Sequence, residues 1–254
     1  MQAEILTRWE KNATLKVYKP CDRGMGVKKL ASGLVRLMGG FFLLSLGIVL
    51  NCQAGLGLAP WDVLSQGLSR ILPMTMGQAS MVSGLVILVF DVLMRERIGV
   101  GSILNMIFIG TFIDLINLVN NSLGLIPAAE NLWVGILLLV LSFPVMAVGM
   151  YLYMSPRLGA GPRDSMMVAI KRRTSVPVGV CRMIIEAVVL VVGWLMGGTV
   201  GLGTVILVLG NGPAMQWCFK LFHFDVAAQP NESVADTLRT VWNAWHGSAA
   251  QAER

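Results

Sequence analysis

Two segments of this chain set an aspartate two residues behind a proline and lead into it through glycines: Leu56-Gly57-Leu58-Ala59-Pro60-Trp61-Asp62 and Leu158-Gly159-Ala160-Gly161-Pro162-Arg163-Asp164. Glycine permits a sharp reversal, and proline suits the first position of a helix. Asp62 and Asp164 then fall in the first turn, where a carboxylate meets free N–H groups and the positive end of the helix dipole. Two roles are open to them. They can cap short helices, or they can hold a cation, a zwitterion or a proton where the helix starts face a shared cavity. Each helix start already carries its own carboxylate, so a simple anion is the disfavoured ligand. Trp61 and Arg163 occupy matched places and make the two half-sites unlike; Trp61 reads first as an interfacial anchor. Gln66 follows in the first segment.

Ionisable residues within apolar stretches are functional candidates by default, which adds Asp114, Glu186 and Arg182, the last one helical turn before Glu186. Asp91, four residues before Arg95, reads as a surface pair at a span boundary. Asn105, Asn117, Asn211 and Gln216 either line a cavity or bond neighbouring helices. The four cysteines, Cys21, Cys52, Cys181 and Cys218, show no metal spacing, and both histidines, His223 and His246, lie near the polar C-terminus. No metal site and no cofactor is expected. There is no Walker loop, dinucleotide-binding glycine fingerprint, HExxH or serine nucleophile elbow, so an enzyme is disfavoured.

The elements that position these residues are apolar. Hydrophobic residues make up 55% of the 254 residues and charged ones 13%, with a mean hydropathy of +0.70. Soluble chains carry about a quarter charged residues, so this is an integral membrane protein whose first partner is the lipid bilayer. The windows Leu37 to Ala59 and Leu132 to Met154 contain no charge and are long enough to cross a hydrocarbon layer of about 30 Å. The net charge of +6 comes from basic residues clustered beside apolar spans, which sets topology and does not call for nucleic acid.

A shift of 102 residues lays the chain on itself without a gap, Leu37 to Leu115 upon Leu139 to Trp217. Gly47/Gly149, Gly57/Gly159, Pro60/Pro162, Asp62/Asp164, Gly77/Gly179, Gly101/Gly203 and Gly110/Gly212 coincide. A unit this long is a duplicated helical bundle. The predicted order is a basic cytoplasmic tail (1–33), a first membrane repeat (34–119), an extracytoplasmic loop (120–131), a second repeat (132–220) and a cytoplasmic tail (221–254) with an amphipathic pattern from Ser233. Spans are expected near 37–52, 76–94, 99–119, 132–154, 183–197 and 201–219, with short helices at 61–71 and 163–173. A helix of 11 residues reaches only about 16 Å and cannot cross.

With three spans per repeat the second copy enters the membrane upside down. The basic residues agree: Arg70 alone stands between Ala54 and Ser80, whereas Arg157, Arg163, Lys171, Arg172, Arg173 and Arg182 fill the equivalent stretch. In the hairpin the bias reverses, Arg95-Glu96-Arg97 becoming Gly197-Gly198-Thr199. The fold expected is therefore an all-α polytopic membrane protein of two inverted-topology repeats, each with three transmembrane helices and one short re-entrant helix, both termini being cytoplasmic. Gly193, Gly197 and Gly201 could admit another helix closely, within the chain or across a homodimer.

The Leu58-to-Ser69 segment, Gly159-Ala-Gly-Pro-Arg-Asp164, the Arg182-to-Glu186 segment and Gly197-Gly-Thr-Val-Gly-Leu-Gly-Thr204 together resemble the YczE/YyaS/YitT group of bacterial membrane proteins, on its YczE-like side. The resemblance implies a bacterial cytoplasmic (inner) membrane protein and brings no catalytic residues with it. The function expected is a permease or exporter of a small polar, zwitterionic or cationic molecule, driven by an ion or proton gradient. Its candidate site is Pro60, Trp61, Asp62, Gln66, Asp114, Pro162, Arg163, Asp164, Arg182, Glu186, Asn211 and Gln216. The alternative is a non-transporting scaffold or accessory protein of a biosynthetic or regulatory complex.

Overall fold

The loops ahead of the two prolines decide how the chain is laid out. In the computed structural model, which describes residues 27–223 except 95, 97–98, 157, 160 and 175–177, Gly57 and Gly159 have φ of 117° and 125°. The side chains of 27–30, 164–165, 167–168, 171–172 and 178–179 lie outside the description. A Cβ on Gly57 would stand 2.6 Å from Thr204 Oγ1, and one on Gly159 would stand 2.7 Å from Gly99 Cα. Only glycine tolerates both that backbone and that proximity. Beside them, the Leu56 carbonyl accepts a hydrogen bond from Gly203 N–H at 2.8 Å, and the Leu158 carbonyl accepts one from Gly101 N–H at 2.7 Å. These two bonds join residues that are equivalent under the 102-residue shift. They supply irregular backbone with partners, without which each polar group would cost several kcal/mol in an apolar surrounding.

Among the described residues the chain forms eight helices: α1 (Val27–Ala54), α2 (Pro60–Ile71), α3 (Met76–Leu93), α4 (Val100–Leu123), α5 (Leu132–Met154), α6 (Pro162–Arg173), α7 (Val178–Leu195) and α8 (Leu202–Leu221). Local signals set their ends. Pro60 and Pro162 open α2 and α6, each behind an extended residue. Thr75 and Gln78 close a reciprocal capping box at the start of α3. Asn131 accepts from Val134 N–H at the start of α5, and Gly124 ends α4 in the left-handed conformation. Several expected boundaries move, among them the start of α7, at Val178 instead of 183. α1 is continuous from Val27, ten residues before the apolar run begins, and α4 reaches Leu123, which shortens the loop after it.

Five of these helices, α1 from Ala31, α3, α4, α5 and α8, are long and apolar enough to cross a membrane. α7, matched to α3 by the repeat, presents Met183, Ile184, Val188, Val191 and Trp194 outward. Val86 and Leu93 of α3, Leu137 of α5 and Leu209 of α8 are exposed in the same way. Contiguous apolar surface on this scale marks contact with lipid. The basic stretch 1–26 and the C-terminal amphipathic pattern lie outside the described residues.

The interior is built around α1 and α5. Gly40 and Gly149 let these helices touch: a Cβ on Gly40 would lie 2.8 Å from Gly149 O, and one on Gly149 would lie 3.1 Å from Gly40 O. At one end Gly33 meets Pro156, and at the other Gly135 meets Ala54 O, so the two helices run antiparallel. Leu37, Phe41, Leu44, Tyr153 and Leu158 fill one end of this seam; Leu50, Ala54, Leu138, Leu139 and Leu207 fill the other. Ser45 hydroxyl, fully buried, reaches both Phe41 O (2.9 Å) and Ile109 O (3.0 Å), tying α1 to α4. Around the seam, α4 packs on α1 as α8 packs on α5. The short helices are exchanged: α2 rests on α7 of the other repeat, and α6 on α3.

Candidate functional site

The N-terminal ends of the two short helices meet. Arg163, second residue of α6, places its guanidinium carbon 4.8 Å from the centre of the Trp61 ring, at the second residue of α2. From there the helices diverge. The far end of α2 is clamped to the α7–α8 turn, where Arg70 donates to Gly197 O and, at 3.3 Å, to Thr199 Oγ1. The far end of α6 reaches the α3–α4 turn, Arg173 donating to Met94 O at 3.5 Å. These two turns are equivalent in the repeat.

Between the meeting helix starts lies a cavity of about 440 Å³. Its wall is drawn from matched positions of both repeats: Ala59 and Gly161, Pro60 and Pro162, Trp61 and Arg163, Leu44 and Met146, Ile48 and Met150, Ser80 and Arg182, Gly84 and Glu186, Ile109 and Asn211. Asp62 also lines it, only 4% exposed, close enough to Arg163 to feel its charge. Arg182 Nε donates to Glu186 Oε1 at 2.9 Å along the α7 wall. Phe143, Met106, Met215 and Tyr153 complete much of the apolar surface. The result is an apolar chamber with carboxylates and guanidiniums at chosen points, the form a small-molecule site takes.

Of the residues singled out from sequence, Pro60, Trp61, Asp62, Pro162, Arg163, Arg182, Glu186 and Asn211 line this one cavity, as does Asn105. Asp164 sits in the first turn of α6, and its side chain lies outside the described residues. Asn117, Gln66, Asp114 and Gln216 do not line it. Gln66 turns toward the α7–α8 turn, its Oε1 accepting from Thr199 N–H at 2.6 Å. Asp114 accepts from Gly77 N–H at 3.0 Å and from the Thr75 hydroxyl, so it serves the start of α3. A carboxylate at a helix N-terminus gains from free N–H groups and the dipole, which accounts for an acid within an apolar span. Gln216 is on the exposed side of α8.

One further expectation is sharpened and one corrected. Trp61 is half-buried, lines the cavity and carries Arg163 over its ring. Asp91 is buried and not at the surface, with both carboxylate oxygens lacking hydrogen-bond partners among the described residues, and its expected partner Arg95 lies outside them. The repeat explains this: Asp91 falls where Gly193 stands in the other copy, and Gly193 packs into α2, a Cβ there lying 2.5 Å from Leu64 N. The small-residue row at the end of α7 and in the turn after it is therefore used within the chain, Gly193 against α2 and Gly197 beside Arg70. Sequence reasoning missed Ser80 and Tyr153; the available signal was polarity at positions whose repeat partners, Arg182 and Asn51, are polar too.

The sequence profile of DUF6198, a family of unknown function, matches residues 32–220, which include every residue of this cavity. The chain belongs to that family. It is similar to the uncharacterized membrane protein YczE of Bacillus subtilis, 34% identical over 68% of this chain and 79% of the relative. An uncharacterized protein of Haemophilus influenzae is 34% identical over 70% of this chain and 79% of its own. The uncharacterized protein YyaS of Bacillus subtilis is 26% identical over 68% and 85%. No solved structure matches the chain. The apolar helices and these relatives make the family member a membrane protein.

Proposed function

We propose that this protein is a secondary transporter of the bacterial cytoplasmic membrane, a carrier and not an enzyme, that moves a small zwitterionic or cationic molecule at the expense of an ion or proton gradient. The observation that carries this reading is the cavity into which both short helices direct their starts, walled by equivalent positions of two repeats. Carriers built from inverted repeats bind substrate at such helix ends near the midplane. The antiparallel α1 and α5, the exchanged short helices and the reversed loop charges support an inverted arrangement with both termini in the cytoplasm.

In this reading α2 and α6 are re-entrant, and alternating access rocks one repeat against the other across the α1–α5 seam. The close glycine contacts there suit two stiff helices that pivot and do not deform. Asp62 orients the substrate or accepts the coupling proton, while the Arg182–Glu186 pair gates the cavity edge. The test is an untargeted comparison of metabolites inside and outside cells that lack the protein, that carry it, and that carry Asp62→Asn. A polar metabolite redistributed by the deletion, restored by the wild type and not by Asp62→Asn, is the expected result. Identical distributions in all three strains overturn it.

A further inference from the structure

The cation that sits on Trp61 is supplied by the protein itself. Arg163 lies 4.8 Å from the ring centre, inside the range of about 6 Å over which an aromatic face attracts a cation. The next residue after Trp61 is Asp62, buried, facing the same cavity and within reach of the Arg163 charge. An aromatic face beside a buried carboxylate is a receptor for an organic cation. Around it Leu44, Ile48, Phe143, Met146 and Met150 offer apolar wall, and methionines adapt to bodies of varied shape.

We propose that Trp61 and Asp62 form the binding site for the cationic head of the substrate, an ammonium, amidinium or guanidinium carried on an apolar body, and that Arg163 is a tethered competitor filling this site in the empty protein. The assignment of this ligand as the transported molecule rests on the carrier reading; the site itself does not. Trp61 and Asp62 belong to α2 of the first repeat, and Arg163 to α6 of the second. The contact is thus a latch across the two halves. An incoming cation must displace Arg163 from the Trp61 ring, so occupancy of the site removes this contact between α6 and α2. A competitor that fills the site lowers apparent affinity by the fraction of time it is seated.

The experiment uses the full-length protein in detergent, calorimetric titration with benzamidine, and benzoate as the anion of matched size. Arg163→Gln is expected to bind benzamidine about tenfold more tightly than wild type, the size of effect expected when a cation–π contact of about 1.4 kcal/mol no longer competes. Arg163→Lys keeps a competitor and stays near wild type. Trp61→Leu in the Arg163→Gln background loses the gain, because the ligand has lost the face it occupies, and Asp62→Asn loses binding. Thermal unfolding in the absence of ligand shows that each variant is folded, and Arg163→Gln read alone on folded protein remains decisive if the double variant is not. An unchanged or weaker benzamidine affinity in Arg163→Gln overturns the proposal, as does a gain that persists without Trp61, or benzoate binding in place of benzamidine. Benzamidine binding that follows this pattern in a protein whose deletion moves no metabolite upholds the site and sinks the carrier reading instead.

Discussion

The two halves of the cavity are made from residues 102 positions apart, yet charge is divided unevenly between them, Asp62 in one and Arg163, Arg182 and Glu186 in the other. Ser80 and Gly84 of α3 stand where α7 has Arg182 and Glu186; Trp61 of α2 stands where α6 has Arg163. The matched residues are those that fix backbone: the glycines at positive φ, the prolines that open the short helices, the carbonyls of Leu56 and Leu158. Several unmatched ones, Trp61 and Arg163, Ser80 and Arg182, Gly84 and Glu186, face the cavity. Positions matched by the 102-residue shift thus share the frame, and substitution on the inner wall makes its two sides unlike, with one Trp61–Asp62 corner.

If the frame is shared, equal damage should follow equal substitutions. Gly57→Ala and Gly159→Ala each force an L-residue into positive φ against backbone or Thr204, and each is expected to destabilise by at least ~2 kcal/mol in thermal unfolding. Gly39→Ala, which meets nothing within 4 Å, should be neutral or slightly stabilising. Unequal losses at Gly57 and Gly159 would break the symmetry of the frame.

The next contrast sets a cavity carboxylate against a capping one. Asp62→Asn should abolish the metabolite redistribution while the protein still folds. Asp114→Asn should keep that function and cost about 1 kcal/mol, the usual worth of a carboxylate at a helix start. The reverse pattern would move the site to α4. A smaller effect is expected at Gln66→Ala, which loses one bond to Thr199 N–H, about 1 kcal/mol or less, with function kept. Arg182→Gln is expected to change stability by no more than about 0.5 kcal/mol, because its side chain is 55% exposed and an exposed pair is weak. Its influence should show in the redistribution assay and not in melting.

Much of the frame was legible because glycine and proline punctuate it. α5 runs over 132–154 as expected, and α2 and α6 begin one residue early, at the prolines themselves. The start of α1 was not legible from hydropathy: its first turns carry Lys28, Lys29 and Arg36, which end an apolar window although lysine and arginine are good helix formers. The site was legible where a repeat exposed a motif, as at Pro60-Trp61-Asp62. It was not legible for Asp114 and Gln66, since an acid or amide in an apolar helix can face a cavity or the free end of a neighbouring helix, and only the packing decides. Asp91 shows the converse, because the proximity of Arg95 in sequence hid a position that the repeat assigns to the helix interface.

In the carrier proposed here the two repeats face opposite ways about one cavity. Leu72 and Thr174 report on this, because they are equivalent, both exposed, and end the two short helices. With the native cysteines replaced by serine, Leu72→Cys and Thr174→Cys are treated in turn with a membrane-impermeant thiol reagent on intact cells and on inside-out vesicles. Leu72→Cys should react only from outside and Thr174→Cys only from the cytoplasmic side. Reaction of both from the same side would contradict the inverted arrangement and the carrier built upon it.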